Sequence, residues 1–441
     1  METQDGPQGA TGEQGRAPTR DSTVVDELSW RGLVAQTTDA GEVRRLLTEG
    51  RATVYCGFDP TAASLHFGNL VQLVVLRLLQ RAGHRVICLV GGSTGLIGDP
   101  KPTAERVLKT KEQTASNVER ISSLVQPFLA FDGPNPAVLV DNLEWTAPLS
   151  ALDFLRDVGK YFRVNQMIRK EAVAARLESQ EGISYTEFSY QLLQALDFLH
   201  LYRTFGCTLQ TGGSDQWGNL TAGVDLVHKV EGVSVHALST PLLTDSSGAK
   251  FGKSEGNAVW LSADMTSPYA FYQYFLNIED ASAARLLRIF SDRPRPEIAE
   301  LESAVSQRPQ AREAQRALAR DVTTLVHGAR ATARVEAASQ ALFGRGDLAA
   351  LDAATFEDAV RELPMARVAA AGIPIVDLFA ASGLVPSKSA ARRAITEGGA
   401  YLNNVKVTSD EHVLSPADLV HGRWAVLRRG RRSLAVIAVG A

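Results

Sequence analysis

Hydrophobic and polar positions along the chain change period several times, and each change marks an element. Thr53 to Phe58 (TVYCGF) runs β-branched, aromatic and small residues together as in a buried strand, and Asp59-Pro60-Thr61 breaks it. A helical period opens at His66-Phe67-Gly68-Asn69 and continues to about Ala82. A second strand, Arg85 to Val90, ends in Gly91 to Pro100 (GGSTGLIGDP), which reads as a flexible loop; a third, Ala137 to Val140, follows a helical stretch. Upstream, Asp26 to Val34 and Gly41 to Leu47 read as short amphipathic helices. Alternating strand and helix make a parallel sheet the economical architecture.

Ile183 to Leu201 reads as a helix apolar around most of its girth, hence buried, with Tyr190, Gln194 and Asp197 spaced to share one face. A strand at Cys207 to Gln210 leads into Thr211 to Asn219 (TGGSDQWGN), and a helix follows from Asn219 to Val230. From Ser267 to about Ala370 the period is helical throughout: Pro268 to Leu276, Ala281 to Phe290, Arg312 to Val326 and Arg330 to Phe343. Beyond a linker at Pro364 to Gly372, the segment Ile373 to Val407 gives a helix, a Pro386-Ser387-Lys388 turn, a second helix with Arg392 and Arg393, and a short strand after Gly398-Gly399. Alternating strands carrying Arg423, Arg428, Arg429, Arg431 and Arg432 end the chain. The expected division is a disordered extension over 1–23, an α/β domain over 24–266, an all-α domain over 267–364, a linker over 365–372 and a small α+β domain over 373–441.

Composition narrows the class. The 441 residues are too many for one ordinary core, and 45% apolar with 22% charged content is that of a soluble globular protein. The net charge of −3 is uneven: residues 371–441 carry nine basic and five acidic side chains, a net +4, which leaves −7 on the 370 residues before them. A basic tail on an acidic body suggests a localised nucleic-acid contact. Cys56, Cys88 and Cys207 lie far apart, outside any zinc spacing, and read as core residues in a reducing compartment. No apolar run reaches membrane-spanning length and no signal-peptide core precedes the first helix, so the expected location is cytoplasmic, away from membranes.

Several stretches can carry chemistry, each with an ordinary structural alternative. The strand, turn and helix start at Thr53 to Asn69 form a phosphate-binding arrangement, with Gly68 lacking a Cβ; the same residues also serve as a polar helix cap. The glycine-rich Gly91 to Gly98 fits neither the dinucleotide nor the P-loop spacing, but sets Asp99 at the carboxyl end of a strand. A buried Asp197 without a partner would cost on the order of several kcal/mol, so a ligand or an internal network must meet it. Asp215 and Gln216 after Gly212-Gly213 fit a sugar or carboxamide clamp, and Lys250 and Lys253 in AKFGKS suit polyphosphate charge.

In combination these stretches are far more specific. HFGN after YCGFDPT, GGSTGLIGDP, the Tyr-Gln-Asp helix, GGSDQWGN and KFGKS, in that order, resemble the bacterial tyrosyl-tRNA synthetase family, with HFGN in place of HIGH and KFGKS in place of KMSKS. The resemblance covers about Val24 to the C-terminus. It implies a Rossmann-like parallel-sheet catalytic domain, then an all-α anticodon-stem-binding domain and a small α+β S4-like RNA-binding domain. It also implies activation of L-tyrosine with ATP and Mg2+, transfer to the 3′ end of tRNA(Tyr), a homodimer, and no protein-bound metal. Carried over residue by residue, Thr61, His66, Asn69, Lys250 and Lys253 are the catalytic set. Tyr55 and Asp197 hold the phenol, and Asp99, Tyr190 and Gln194 hold the ammonium. Gly57, Asp59, Gly68, Gly213, Asp215 and Gln216 lie near the adenylate, Gln216 also near the tyrosyl group, with His66 and Lys253. Lys388, Arg392, Arg393, Arg428 and Arg429 face RNA. Asn69 departs from the commoner histidine and can donate a hydrogen bond but hold no charge. The loop after Asp99 lacks the expected Ser-Gly-Lys run, which weakens the assignment of Arg106 to the nucleotide. The alternatives are a tryptophanyl-tRNA synthetase, against which Tyr55 and the Tyr-Gln-Asp helix stand, and a non-catalytic RNA-binding relative, against which the complete pocket set stands.

Overall fold

The computed structural model describes residues 23–101, 104–180, 182–244, 248, 251, 253–254, 257–344, 346–361, 363–430 and 433–440. Of the extension expected over 1–23, all but Thr23 lies outside them. Thr23 and Asp26 form a reciprocal capping box on helix Val24–Trp30, and Gly32 at φ 71° ends the helical path short of Val34. Helix Ala40–Glu49 follows, capped by Asp39.

Six strands form the first sheet: β1 (Gln36–Thr37), β2 (Thr53–Phe58), β3 (Arg85–Val90), β4 (Val138–Asp141), β5 (Leu209–Gly213) and β6 (His236–Thr240). Their order is β1-β6-β5-β2-β3-β4, and all neighbours are parallel except β1, which is antiparallel to β6. The chain builds outward from β2 through β3 and β4, then returns to the other side of β2 for β5 and β6. Strand order therefore reverses between β2 and β5, the place where open α/β sheets bind ligands. The β2–β5 ladder holds only Val54 with Leu209 and Tyr55 with Gln210. Past Tyr55 the two strands are unpaired with each other, and a crevice opens toward their carboxyl ends.

Both faces of the sheet are covered, which is why its strands read as continuous apolar runs. Val54, Cys56, Val86 and Cys88 share one core with helix Phe67–Arg81, and Tyr55, Ile87 and Leu89 share another with helices Tyr185–Phe205 and Trp217–Glu231. The three cysteines are free and buried, as expected.

The structure departs from the sequence pattern in four places. The glycine-rich stretch after β3 is a helix, Gly92–Ile97, because the end of β4 caps it: Gly92 N donates to Asp141 Oδ1 (3.0 Å) and Ser93 N to Asn142 Oδ1 (2.8 Å). Its glycines serve packing, since a Cβ on Gly91 would lie 2.4 Å from Asp59 Oδ1 and one on Gly92 2.2 Å from Asp141 Oδ1. The strand expected at Cys207 starts at Leu209, because Gly206 at φ 64° closes the preceding helix and Cys207 N donates to Leu201 O. The helices expected at 312–326 and 330–343 are present as the two halves of Glu313–Leu342, separated by a kink at Gly328 (φ 83°, ψ 161°), but two helices that the pattern did not mark, Arg295–Gln307 and Ala353–Arg361, complete this part of the chain.

The fourth departure is the linker. After the small antiparallel pair β7 (Lys253–Ser254) and β8 (Asn257–Ala258), the next strand is β9 (Met365–Val368), inside the expected linker, and it pairs in parallel with the last strand. β10 (Ala400–Leu402), β11 (Val405–Lys406), β12 (Trp424–Arg429) and β13 (Ser433–Val439) complete a five-stranded sheet in the order β11-β10-β12-β13-β9. Period-two alternation gives this sheet two buried faces: Trp424, Val426, Leu434 and Val436 join the core of Phe356, Ala359 and Val360, while Ala425, Leu427 and Ile437 pack with helices Ile375–Ala381 and Lys388–Thr396.

Phe356 is fully buried in that junction. Truncating it to alanine is expected to cost about 3–5 kcal/mol of stability, measured by denaturant unfolding of the full chain.

Candidate active site

The crevice between β2 and β5 is the mouth of a cavity of about 490 Å³. Its wall brings together Tyr55, Gly57, Asp59, Thr61, His66, Gly68, Asn69, Asp99, Tyr190, Gln194, Asp197, Gly213, Asp215 and Gln216 from the sequence-based set. The helical spacing of Tyr190, Gln194 and Asp197 does place all three on the cavity face of helix Tyr185–Phe205.

At its floor sits Asp197, 2% exposed. Its Oδ1 accepts from Trp145 Nε1 at 2.9 Å and its Oδ2 from Asn142 Nδ2 at 3.0 Å. Burial pushes the carboxyl up to about 8, against the two donors, which favour its ionised form. The Tyr55 hydroxyl is buried without a hydrogen-bond partner among the described residues. Burial first, and the Asp197 charge second, raise the Tyr55 phenol well above its ordinary value. A buried O–H donor and a buried carboxylate thus lie close enough to influence each other, in a cavity with room for a third group.

Higher on the wall, Asp59 at the end of β2 accepts from Tyr190 Oη and Thr94 Oγ1, both at 2.7 Å. Burial raises its pKa while these two hydrogen bonds oppose the shift. Asp99 is met by Lys170 and by the Gln216 amide.

The HFGN stretch is a helix cap and a cavity wall at once. His66 is the N-cap of helix Phe67–Arg81; its Nδ1 accepts from Gly68 N (3.0 Å), and Asn69 Oδ1 accepts from His66 N (3.2 Å). With Nδ1 an acceptor, the neutral ring carries its proton on Nε2, a donor; Asn69, its carbonyl occupied, retains its amide N–H groups. Gly68 is needed by His66 itself, because a Cβ there would lie 2.8 Å from the ring Cε1. The segment after β8 braces this turn: Phe67 N donates to Val259 O, Leu261 N to Leu65 O, and the Trp260 ring stands edge-on to His66 at 6.4 Å.

Arg106 also lines the cavity, its Nε on Asp99 O and its backbone N on Glu187 Oε1. Glu187 is ion-paired with Arg176 at 3.1 Å, both buried, and Arg176 also reaches Lys101 O and Gly182 O. Lys250 lies outside the described residues and Lys253 is described in its backbone alone. Between them Phe251 is buried against Phe67 and Tyr274.

On helix Lys388–Thr396, Lys388, Arg392 and Arg393 are exposed, as is Arg429 at the end of β12. Arg428 differs: its guanidinium lies 3.9 Å over the Tyr401 ring and donates to Gly430 O, so it is half-buried within the protein. Arg431 and Arg432 lie outside the described residues. The residues that sequence reasoning missed are the supporting ones: Thr94, Asn142, Trp145, Lys170, Arg176, Glu187 and Asn219. Only Glu187 carried a signal, Ser184-x-x-Glu187, and that reads as a helix cap; Ser184 Oγ does accept from Glu187 N, but the carboxylate turns to Arg106 and Arg176.

Residues 47–344 match the model of the class I tRNA synthetases specific for tryptophan and tyrosine (W and Y), and residues 355–437 match that of the C-terminal domain of SYY-like tyrosine–tRNA ligases. The chain is 61% identical over 417 residues to the tyrosine–tRNA ligase of Streptomyces coelicolor, covering 94% of this chain and 99% of that one, and 56% identical over 417 residues to that of Acidothermus cellulolyticus, covering 93% and 98%. A crystal structure of a C-terminally truncated mitochondrial tyrosyl-tRNA synthetase from Aspergillus nidulans superimposes with a TM-score of 0.67 at 31% identity, over 74% of this chain and 95% of that one. The fold is thus that of a class I aminoacyl-tRNA synthetase, with a Rossmann-like parallel sheet. Within that class the chain belongs to the tyrosine–tRNA ligase family and is a ligase; the tryptophan-specific and non-catalytic alternatives are set aside.

A carboxyl raised in the folded protein favours folding below its unfolded value near 3.8, and that contribution is lost as pH rises through about 8. The ligand-free protein is therefore expected to lose stability relative to Asp197→Asn between those values, by at most about 1.4 kcal/mol per pH unit, followed by thermal melts across the range.

Proposed function

We propose that the cavity binds L-tyrosine with its phenol between Tyr55 and Asp197 and its ammonium among Asp99, Tyr190 and Gln194, and that it joins tyrosine to ATP before transfer to tRNA. The observation that carries this is the unpartnered Tyr55 hydroxyl beside Asp197. A phenol O–H placed there accepts from Tyr55 and donates to the carboxylate. Phenylalanine would leave the Tyr55 hydroxyl unpaired and Asp197 with its two protein donors alone, so the pocket selects by what the wrong substrate leaves unpaired.

ATP, carried as its Mg2+ complex, lies along the His66, Gly68 and Asn69 turn and the carboxyl ends of β2 and β5, with Gly57, Asp59, Gly213 and Asp215 nearest the adenylate. A tyrosine carboxylate oxygen attacks the α-phosphorus. The bond from that phosphorus to the β-phosphate bridging oxygen breaks, and pyrophosphate leaves. A terminal ribose hydroxyl of tRNA(Tyr) then attacks the tyrosyl carbonyl, releasing AMP. No covalent enzyme intermediate is needed. The enzyme gains by holding the reactants in line and by meeting the charge on the leaving pyrophosphate through His66 Nε2–H, Asn69, Thr61 and, from the KFGKS motif, Lys250 and Lys253.

For tRNA, the exposed Lys388, Arg392, Arg393 and Arg429 fit backbone contact by the C-terminal S4-like domain, with the helical domain over 267–364 on the anticodon stem. A homodimer is supported by apolar side chains exposed between β4 and helix Tyr185–Phe205, among them Leu152 at 78%, Leu155 at 48% and Val164 at 62%. No helix among the described residues is long and apolar enough to cross a membrane, and three buried free thiols suit the cytoplasm.

Tyrosine-dependent exchange of pyrophosphate into ATP tests the reading. Tyr55→Phe is expected to lower the preference for tyrosine over phenylalanine about tenfold. Unchanged preference would remove the assignment of the cavity floor. In sedimentation, Leu152→Glu with Leu155→Glu is expected to shift the protein from dimer to monomer, and an unshifted dimer would place the interface elsewhere.

A further inference from the structure

Behind the wall that Asp99 and Gln216 present to the cavity, a closed ring of four side chains holds them. Lys170 Nζ donates to Asp99 Oδ1 at 2.9 Å, and Asp99 Oδ2 accepts from Gln216 Nε2 at 3.0 Å. Gln216 Oε1 accepts from Asn219 Nδ2 at 2.8 Å, and Asn219 Oδ1 accepts from Lys170 Nζ at 2.8 Å, which closes the circuit. A cross-brace runs from Asn219 Nδ2 to Asp99 Oδ1 at 3.3 Å. Asp99 and Gln216 line the cavity and Lys170 and Asn219 do not. The ring is shielded: the Lys170 side chain is 11% exposed, that of Asp99 16%, and Asn219 is fully buried.

The chemistry of the members fixes the direction of every bond. An ammonium only donates and a carboxylate only accepts, whereas each amide offers one end of either kind. Between Lys170 and Asp99, Asn219 must turn its carbonyl to the lysine and its NH2 to Gln216, and Gln216 must turn its NH2 to Asp99. Neither amide can flip while both charged ends are in place. One Gln216 N–H and the remaining Asp99 lone pairs are left facing the cavity in a single orientation. The lysine is held in turn: it is the N-cap of helix Glu171–Leu177, its carbonyl accepts from Ala174 N at 2.8 Å, and its stem runs beside Gly218.

We infer that Lys170 is a positioning residue for the amino-acid substrate, holding Asp99 Oδ1 directly and bracing Asn219 beside it, so that the Asp99 carboxylate keeps the orientation that receives the ammonium of tyrosine. This rests on the reading above in which Asp99 meets that ammonium. Lys170 touches no reacting atom. Its loss leaves Asp99 Oδ1 with the long Asn219 contact alone and takes from Asn219 Oδ1 the donor it has in the ring, while Gln216 still donates to Asp99 Oδ2. Ground-state binding of the amino acid should weaken, while the chemistry at the α-phosphate should not.

The test compares Lys170→Met, Asp99→Asn and the wild-type full chain in pyrophosphate exchange, with 3-(4-hydroxyphenyl)propanoate, which lacks the ammonium, as a competitive inhibitor. Lys170→Met is expected to raise KM for tyrosine about tenfold with kcat and KM for ATP changed less than about twofold, and to leave inhibition by the analogue unchanged. In Asp99→Asn the further change Lys170→Met should add little, as expected of groups acting through one another. Lys170→Cys alkylated with 2-bromoethylamine, which rebuilds an ammonium at lysine length, should recover the tyrosine KM. If Asp99→Asn raises that KM and Lys170→Met does not, the inference is overturned and the Asp99 reading stands. If Asp99→Asn leaves it unchanged, the Asp99 reading falls and the inference with it. Equal weakening of tyrosine and of the analogue, or a melting temperature lowered along with both, would make Lys170 merely structural and overturn the inference.

Discussion

Asp197 is a carboxyl group removed from water and met by two neutral donors, with no salt-bridge cation among the described residues, and much of the site follows from accommodating it. One donor, Asn142, also accepts from Ser93 N, which ties the carboxylate to the start of helix Gly92–Ile97 and to the end of β4. The other, Trp145, is stacked on His200 at 4.3 Å, so the indole N–H is held in its aim. These partners satisfy part of the charge, and burial still dominates its titration. The Tyr55 hydroxyl beside it is worse off, with no partner at all among the described residues. In the proposed reading a tyrosine phenol meets both groups. Selectivity and affinity then arise from the same pair of atoms, because the groups that reward the right ligand are those that penalise the wrong one.

The second constraint is backbone topology. Reversal of strand order beside β2 leaves a gap that no side-chain choice could close, and the sequence lines it with groups anchored elsewhere. Asp59 is held by Tyr190 and Thr94, His66 by Gly68, and Arg106 by Glu187. These three cavity residues have their orientation set by neighbours, which is how a site built at strand ends and turns gains rigidity.

What was legible in the sequence followed from what the residues do locally. The strands TVYCGF and RVICLV, the helix from HFGN onward and the shared face of Tyr190, Gln194 and Asp197 were readable because period and propensity agreed with the final packing. Gly91 to Ile97 was not, because its helix depends on carboxylate and amide caps supplied from β4, some fifty residues away. Met365–Val368 was not, because four residues of weak pattern become a strand only when β13 offers an edge. Asn142, Trp145, Lys170 and Asn219 are ordinary polar or aromatic residues in ordinary contexts, and nothing local distinguishes a side chain that supports a site from one that meets solvent. Arg428 shows the converse: it sits in a basic cluster, yet stacking on Tyr401 withdraws it.

The last sheet has apolar side chains on both faces, one seated on Phe356 and Val360, the other carrying two helices, of which Lys388–Thr396 bears Lys388 and Arg392. A β-layer buried on two sides resists bending, and layers stack at about 10 Å. It therefore acts as a shim of set thickness between the helical body and the cationic surface beyond it. Any molecule gripped by that surface is held at a standoff determined by one strand layer, so its reach back to the crevice is gauged by architecture instead of being searched for by a loose tether.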